Sequence, residues 1–446
     1  MDCVIDKNFY PIYEYYTAFE ARVKKSGKGR PFLIAVEGAG RIFRFGAEVY
    51  DDGVHDGENA VFGEKLIKSL LWTVGGHKVY IHAPAKLFSR MEKTFSAKGK
   101  RAFDVKFMEK IYEKPFKTEY RTIETMPEQK EKNMTIGGNY NGCRIGFDAG
   151  GSDRKVAAAI NGNVVYSDET VWHPKLNSDW KYHRDGILDS IKKAAEYLPR
   201  VDCIGVSSAG VYVDNRAMAA SLFIKVPDDD FDKHIKNIYI DIAKEFKTKL
   251  EVANDGDVAA LAGALESNRG RVLGIAMGTS QAAGYIDAAG NIKGWLNELA
   301  FVPVDMQKES AEDEWSGDKG CGVKYFSQDS VIRLAETAGI KLDKKLSPHD
   351  KLKFIQNLYN SNPLIEKIFE DIGVYFGYSI LWYSLFYDIE SVLLLGRVSG
   401  GIGGNALKTK AEELLKSKGS NIKIILPDES ERRVGQAIAA ASLPKI

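Results

Sequence analysis

Two stretches of this 446-residue chain bring a carboxylate to the end of an apolar run and follow it with residues suited to phosphate chemistry. In the first, 143–160 (CRIGFDAGGSDRKVAAAI), the apolar run 145–147 meets Asp148, then a Gly150-Gly151-Ser152 turn, then a second apolar run over 156–160. This pattern predicts strand, tight turn, strand. Paired glycines let backbone N–H groups approach an anion, Ser152 adds a hydroxyl, and Asp148 is placed to hold a magnesium ion against the same phosphates. A plain hairpin turn has the same outline. In the second stretch, a short strand at 250–253 delivers Asn254-Asp255 ahead of a small-residue helix at 258–265. A carboxylate there can take the proton of a hydroxyl whose oxygen attacks phosphorus, while Asn254 orients neighbouring hydroxyls. Taken alone, the pair reads better as a helix cap. Two more glycine-bearing turns follow: Gly278-Thr279-Ser280 after a strand at 273–276, and GRVSGGIGGN (396–405, with Gly400 and Gly401) after a strand at 391–395.

These residues need elements to hold them. Asn161-Gly162 between apolar runs predicts a hairpin into a third strand at 164–166. Apolar spacing then predicts a helix at 185–198 and a buried strand at 201–206, an order of β-β-β-α-β. The small-residue turn SSAGV (207–211) lies just past that strand's carboxyl end, where open α/β sheets bind ligands, and reads equally as a pocket edge or an ordinary turn. A helix at 235–246 precedes the second carboxylate. A long apolar helix at 364–387 carries an aromatic stripe (Phe369, Tyr375, Phe376, Trp382) that reads as core or subunit interface, and a small-residue helix at 432–442 closes the chain.

Upstream, residues 1–138 predict a small α/β or α+β domain: strands at 32–36 and 42–50, a helix at 59–74, a strand at 78–82, a helix at 84–95 and strands over 103–120. The runs 24–30 (KKSGKGR) and 126–134 (MPEQKEKNM) read as solvated linkers. His77 and His82 flank a strand with no third ligand nearby, so they read as strand-edge histidines and not a metal site.

Composition narrows the functional classes. Lysine plus arginine number 62 against 61 acidic residues, a net charge of +1 that gives no reason to expect nucleic acid as partner. Four scattered cysteines without C-x-x-C spacing fit a reducing cytosol, and the N-terminus lacks a signal-peptide core, so the expected location is cytoplasmic. The longest uncharged run, 372–387, falls short of the roughly 20 residues a membrane span needs, so no membrane is expected as partner.

Taken in order, the four motifs resemble the ROK family (repressors, uncharacterised frames and sugar kinases) within the actin-like ATPase superfold, over about residues 141–446. The resemblance implies a two-lobed, ribonuclease H-like α/β fold behind the N-terminal domain. Its domains would be 1–138, a first lobe at 139–253 joined by the C-terminal helix (about 431–446), and a second lobe at 254–430. It likens Asp148 to the magnesium carboxylate and Gly150, Gly151 and Ser152 to the first phosphate loop. Asn254 then matches the sugar-binding Asn, Asp255 the catalytic base and Glu298 a further sugar contact. Gly278, Thr279 and Ser280 match the second phosphate loop, and 396–404, with Gly400 and Gly401, the adenosine loop. The implied activity is phosphorylation of a sugar or polyol using ATP and magnesium, in a protein that, like many kinases of that family, is a homodimer. A weakened sugar or nucleotide sensor of the same fold is the alternative, although no helix-turn-helix is found in 1–140.

Several positions depart from the family pattern. Phe301 stands where a Glu-x-x-His motif has its histidine, and Val323 near the place of a second sugar-binding glutamate. Of the cysteines in the zinc segment only Cys321 is present in 314–321, and one thiolate cannot make a four-coordinate site, so no zinc is expected. Asp153 stands where lysine or asparagine is common, Gln281 adds bulk to the second loop, and Arg397 replaces a glycine in the adenosine loop.

Overall fold

The computed structural model describes residues 1–131, 136–427 and 432–446. Helix α1 (Ile12–Ser26) buries Ile12, Tyr16, Phe19 and Val23, a seam at helical spacing, and stops at Gly27, whose φ of 64° favours glycine. The 24–30 run is therefore not a linker. It forms the last turn of α1, with Lys24 and Lys25 at the carbonyl end where cations are favoured, and the start of β1 (Gly29–Gly38). Strand β1 pairs antiparallel with β2 (Arg41–Tyr50); helix α2 (Asp56–Thr73) leads to β3 (Lys78–His82), which pairs with the other edge of β1. After α3 (Ala85–Thr94) comes α4 (Ala102–Tyr112), where strands were expected. Val105, Met108 and Ile111 are buried at three-residue spacing, and that period outweighs the apolar/polar alternation. Only β4 (Lys117–Tyr120) is extended, completing a sheet of order β2-β1-β3-β4. Of the expected linker at 126–134, residues 132–134 lie outside the described residues, but Met126 is buried and Lys130 exchanges backbone hydrogen bonds with Ile42 at 2.8 and 2.9 Å.

The next segment builds a second sheet. Strands β5 (Cys143–Ala149), β6 (Asp153–Ile160) and β7 (Asn163–Val171) run antiparallel, with Asn161 and Gly162 both at positive φ as a two-residue hairpin requires. Helix α5 (Trp180–Ala195), capped by the Asp179 side chain, leads to β8 (Cys203–Ser208), parallel to β5. A small hairpin of β9 (Val211–Val213) and β10 (Arg216–Ala219) follows, too short to show as periodicity. Helices α6 (Asp228–Asp230) and α7 (Ile238–Glu245) precede β11 (Lys249–Asn254), parallel to β8, and α8 (Asp255–Ser267). The sheet order is β11-β8-β5-β6-β7.

The remaining elements are β12 (Val272–Met277), β13 (Gln281–Ile286), α9 (Gln328–Thr337), α10 (Pro348–Asn357), α11 (Pro363–Tyr383), β14 (Ser391–Leu395), α12 (Gly401–Ser417), β15 (Lys423–Ile425) and α13 (Arg432–Ala441), with a sheet of order β13-β12-β14-β15. Helix α13 lies on the sheet of β5 and β8: the carbonyls of Ala437 and Ala440 occupy the space a Cβ would need at Gly146 and Gly205. By compactness the chain forms two units, one of Met1–Lys132, Ile275–Ala282 and Trp295–Leu426, the other of Asn133–Gly274, Ala283–Gly294 and Pro427–Ile446. Residues 1–132, set apart in the sequence reading, thus group with 295–426. No helix of the described residues is long and apolar enough to cross a membrane.

Candidate functional site

In the unit that carries Asp148, three parallel strands end side by side. Register aligns Ala149 of β5 with Ser208 of β8, and Ser208 with Asn254 of β11, so Asp148 and Asp255 both stand at the carboxyl edge of one sheet. Asp148 is 4% exposed and accepts a hydrogen bond from Ser207 Oγ at 2.6 Å. Burial raises its pKa to about 6; the Ser207 bond and Lys155 oppose this, while Asp255 and Asp153 add to it. Asp255 opens α8, and its carboxyl is also pushed up by burial, against the pull of the Gly256 N–H, its own backbone and Lys175. Two carboxyls on one sheet edge are thus both made reluctant to ionise, a pattern that clusters at functional sites.

Asn254 does cap α8, as the plainer reading had it: its Oδ1 accepts from Gly256 N at 2.7 Å. Its Nδ2 donates to Gly210 O at 2.7 Å, which fixes the turn after β8. Around the carboxylates stand the serines of the 207–211 turn and two tyrosines that sequence patterns did not single out. Tyr212 and Tyr239 both donate to Ser208 Oγ, at 2.6 and 2.9 Å. Burial drives the Tyr212 hydroxyl well above its usual pKa, so it stays a neutral donor.

The turn Gly150–Ser152 is held from outside by Trp172, whose Nε1 donates to Gly150 O at 2.8 Å and whose backbone N donates to Ser152 O at 3.1 Å. A Cβ at Gly150 would lie 2.7 Å from Asp153 O, so the turn requires glycine there. Ser152 Oγ donates to Asp153 at 2.9 Å, and Asp153 pairs with Lys155 at 3.1 Å.

The other unit holds the two remaining turns together. Gly278 N donates to Ser280 O at 2.9 Å, leaving Thr279 and Ser280 exposed at the tip. The 396–401 loop abuts that turn: Val398 N donates to Met277 O at 3.0 Å, and Gly396, at φ 95°, has Met277 O where a Cβ would be. Gly400 is the N-cap of α12 and Gly401 its first residue. Arg397 reaches Thr279 Oγ1 at 3.3 Å and donates to His349 Nδ1 at 2.7 Å. Gln281 points away from the tip; it is buried with its amide against Gly322, so its bulk does not fill the turn.

In the same unit, Glu298 is half-buried and its backbone N donates to Trp72 O at 2.9 Å. Phe301 packs against Trp72, ring centroids 4.3 Å apart, and against Trp315 at 5.1 Å. The segment likened to the zinc-bearing one is held by charges of the N-terminal region. Asp318 pairs with Lys68 and, at 2.5 Å, with Arg101; Arg101 also pairs with Glu64 at 2.6 Å, and Lys68 lies 3.4 Å from Asp104. Trp72 Nε1 donates to Asp104 at 2.5 Å. Cys321 is buried beside this network with its thiol pushed up by burial. Among the described residues no three metal-ligating side chains converge. A lysine on the buried face of an apolar helix was the available signal for Lys68.

No protein-family model matches the sequence, and no curated protein matches it. Solved structures do match. A ROK hexokinase from Thermus thermophilus superposes with a TM-score of 0.53 at 14% identity, covering 67% of this chain and 96% of that one. A ROK family transcriptional regulator, a homologue of the E. coli MLC protein, gives 0.50 at 16% identity, covering 68% and 78%. The chain shares the fold of these two ROK structures over about two thirds of its length. The sheet edge bearing Asp148 and Asp255 lies in one compact unit, and the abutting turns at 278–280 and 396–401 lie in the other.

Proposed function

We propose that this chain is a carbohydrate kinase: it transfers phosphate from ATP, with magnesium, to a hydroxyl of a sugar or sugar-like polyol. The observation that carries the reading is the pair of carboxyls, buried Asp148 and half-buried Asp255, at the ends of β5 and β11 on either side of β8 along one sheet edge, with a glycine turn directly after the first. Asp255 acts as general base, taking the acceptor's proton as its oxygen attacks phosphorus. Its raised pKa suits a base that must hold that proton briefly. The hydroxyls of Tyr212, Tyr239 and Ser208 form a neutral network beside the two carboxyls, and Asn254, through Gly210, fixes the wall next to them. Asp148 fits a magnesium ion, which is commonly held by one or two carboxylates plus substrate phosphates and so needs no converging cage of three side chains. Such an ion supplies charge neutralisation at the phosphates. In the other unit, Gly278, Thr279, Ser280 and Arg397 are the groups offered to the nucleotide, with Gly400 and Gly401 opening α12 beside them; Glu298 is the remaining sugar contact. A homodimeric, cytoplasmic protein completes the proposal.

A second reading, a sensor with weakened catalysis, draws on the acceptor end, where Phe301 sits in an aromatic cluster instead of presenting an imidazole. A panel of sugars and polyols with magnesium-ATP separates the two: binding of sugar without phosphorylation of any supports the sensor and overturns the kinase. For the kinase, Asp255→Asn is expected to leave folding and sugar binding near wild type and cut turnover by roughly 10² to 10⁴. Unchanged turnover would place the base elsewhere.

A further inference from the structure

The first phosphate turn has an electrostatic problem. Where a lysine or asparagine would be expected, it carries Asp153, and Asp153 and Lys155 neutralise each other at 3.1 Å. Asp148 and Asp255 add two further negative groups at the same sheet edge. A phosphoryl group arriving there would meet no net cation from the turn itself.

The short turn after β7 brings one. Lys175 belongs to a single 3-10 turn, Pro174–Leu176, and its side chain lies over the glycines: a Cβ built on Gly151 would be 3.7 Å from Lys175 Cε and 3.8 Å from its Nζ. The side chain is exposed and no carboxylate of the described residues pairs with it. Its charge is felt at Asp255, whose acidity it pulls down against burial. An exposed lysine is normally a poor positioning device because ordering it costs rotamer entropy, but the backbone beneath this one is braced. Trp172, 1% exposed, is bonded to both Gly150 and Ser152. His173 N donates to Tyr182 Oη at 2.9 Å, Asn177 Nδ2 donates to His173 O at 2.8 Å, and the buried His183 ring contacts Asn177 O at 3.3 Å. The same tryptophan that shapes the glycine turn therefore sets the height of Lys175 above it.

We propose that Lys175 is a phosphate-binding, catalytic residue of this chain, its ammonium placed between the Gly150–Ser152 turn and Asp255 to neutralise the phosphoryl group in transfer. The inference rests on the kinase reading above. In the step, the bond from the β-phosphate oxygen to the γ-phosphorus breaks and one from the acceptor oxygen forms. The acceptor's proton goes to Asp255, and Lys175 stays protonated, contributing hydrogen bonds and charge only. A cation in that position works where charge develops, so its loss falls mainly on turnover.

The test uses the full chain with Lys175→Met and Lys175→Arg, magnesium-ATP binding by calorimetry, and transfer to whichever sugar of the panel the wild type phosphorylates. Lys175→Met is expected to lower kcat by on the order of 10²-fold and weaken magnesium-ATP binding several-fold at an unchanged melting temperature, with Lys175→Arg recovering most of both. It is also expected to move the acid limb of the kcat profile to higher pH, because Asp255 loses the cation that lowers its pKa. A wild type that transfers phosphate, beside a Lys175→Met variant within twofold of it in binding and kcat, overturns the role of Lys175 and leaves the kinase reading standing. A wild type that binds magnesium-ATP but transfers phosphate to no sugar of the panel overturns the kinase reading and with it the catalytic role of Lys175. A wild type that binds no magnesium-ATP overturns both.

Discussion

Asp148 illustrates what a buried carboxyl costs the fold. Its carboxyl is buried at the end of β5 with one hydroxyl donor, and its pKa of about 6 lies above the unfolded value of 3.8. The sign follows from linkage: the folded state prefers the protonated form, so no penalty exists below pH 4, the penalty grows between about pH 4 and 6, and it is full above 6. Asp148→Asn keeps an oxygen to accept from Ser207 and removes the charge. The variant is therefore expected to be more stable than wild type by on the order of 2 kcal/mol at pH 8, with the gap closing towards pH 4, as read by urea melts across that range. Equal stability at pH 8 would mean that Asp148 is not strained by its burial. The same variant is expected to lose phosphoryl transfer, a trade of stability for activity common at such sites. The residues that carry this argument were legible in the sequence because a carboxylate followed by two glycines is a local pattern. Ser207 was legible only as part of the small-residue turn 207–211, which read equally as a pocket edge or an ordinary turn, and Tyr212 and Tyr239 were not legible, since they come from β9 and α7 and meet at Ser208 through tertiary packing and not spacing along the chain.

At the scale of elements, the segment at 313–324 is held by a buried ion network. Helices α2 and α4, with the residue that caps α4, provide Lys68, Asp104 and Arg101 around Asp318, and Lys68 is fully buried. Removing one member of a buried ion network leaves its partners charged and desolvated, which costs more than the pair contributes when intact. Lys68→Met is therefore expected to destabilise by on the order of 3 kcal/mol, measured by chemical denaturation. The double variant Lys68→Met/Asp104→Asn, which removes one charge of each sign and keeps an acceptor for Trp72 Nε1, is expected to be less destabilised than Lys68→Met alone. A double variant as unstable as the sum of its singles would show that the charges act independently. Sequence reading found most elements of this unit, including β1–β3, α2, α3 and α11, because their apolar periods are long. It missed α1, whose seam of four buried residues lies among charges, and misread α4, whose aromatic residues mimic strand alternation. The contact between the N-terminal helices and 313–324 joins residues some 250 positions apart, and no local pattern announces it.

At the scale of the whole chain, neither compact unit is a continuous stretch: the backbone passes from one to the other after residues 132, 274, 282, 294 and 426. The N-terminal 131 residues have a sheet of their own, yet several of their aromatic side chains pack against the 295–426 segment of the same unit. Tyr16 packs on Trp382 and Trp72 on Phe301, ring centroids 5.2 and 4.3 Å apart. Asp371 of α11 accepts the backbone N–H groups of Val4, Ile5 and Asp6 at 2.6–2.9 Å. Burying a large apolar side chain contributes about 1.5–3 kcal/mol, so exposing several at once removes an amount comparable with the whole stability of a small domain, about 5–15 kcal/mol. A fragment of residues 1–132 is accordingly expected not to fold to a stable monomer: its amide spectrum should be poorly dispersed and its thermal transition broad, whereas the full chain gives protected amides in β1 and α2. A sharply melting, well-dispersed fragment would show that the four-stranded sheet holds its own core and that the 295–426 segment only covers it. The distinction bears on the proposed kinase, because an N-terminal region that cannot fold alone is part of the unit that carries Glu298 and Phe301, and changes in it would reach Phe301 through Trp72.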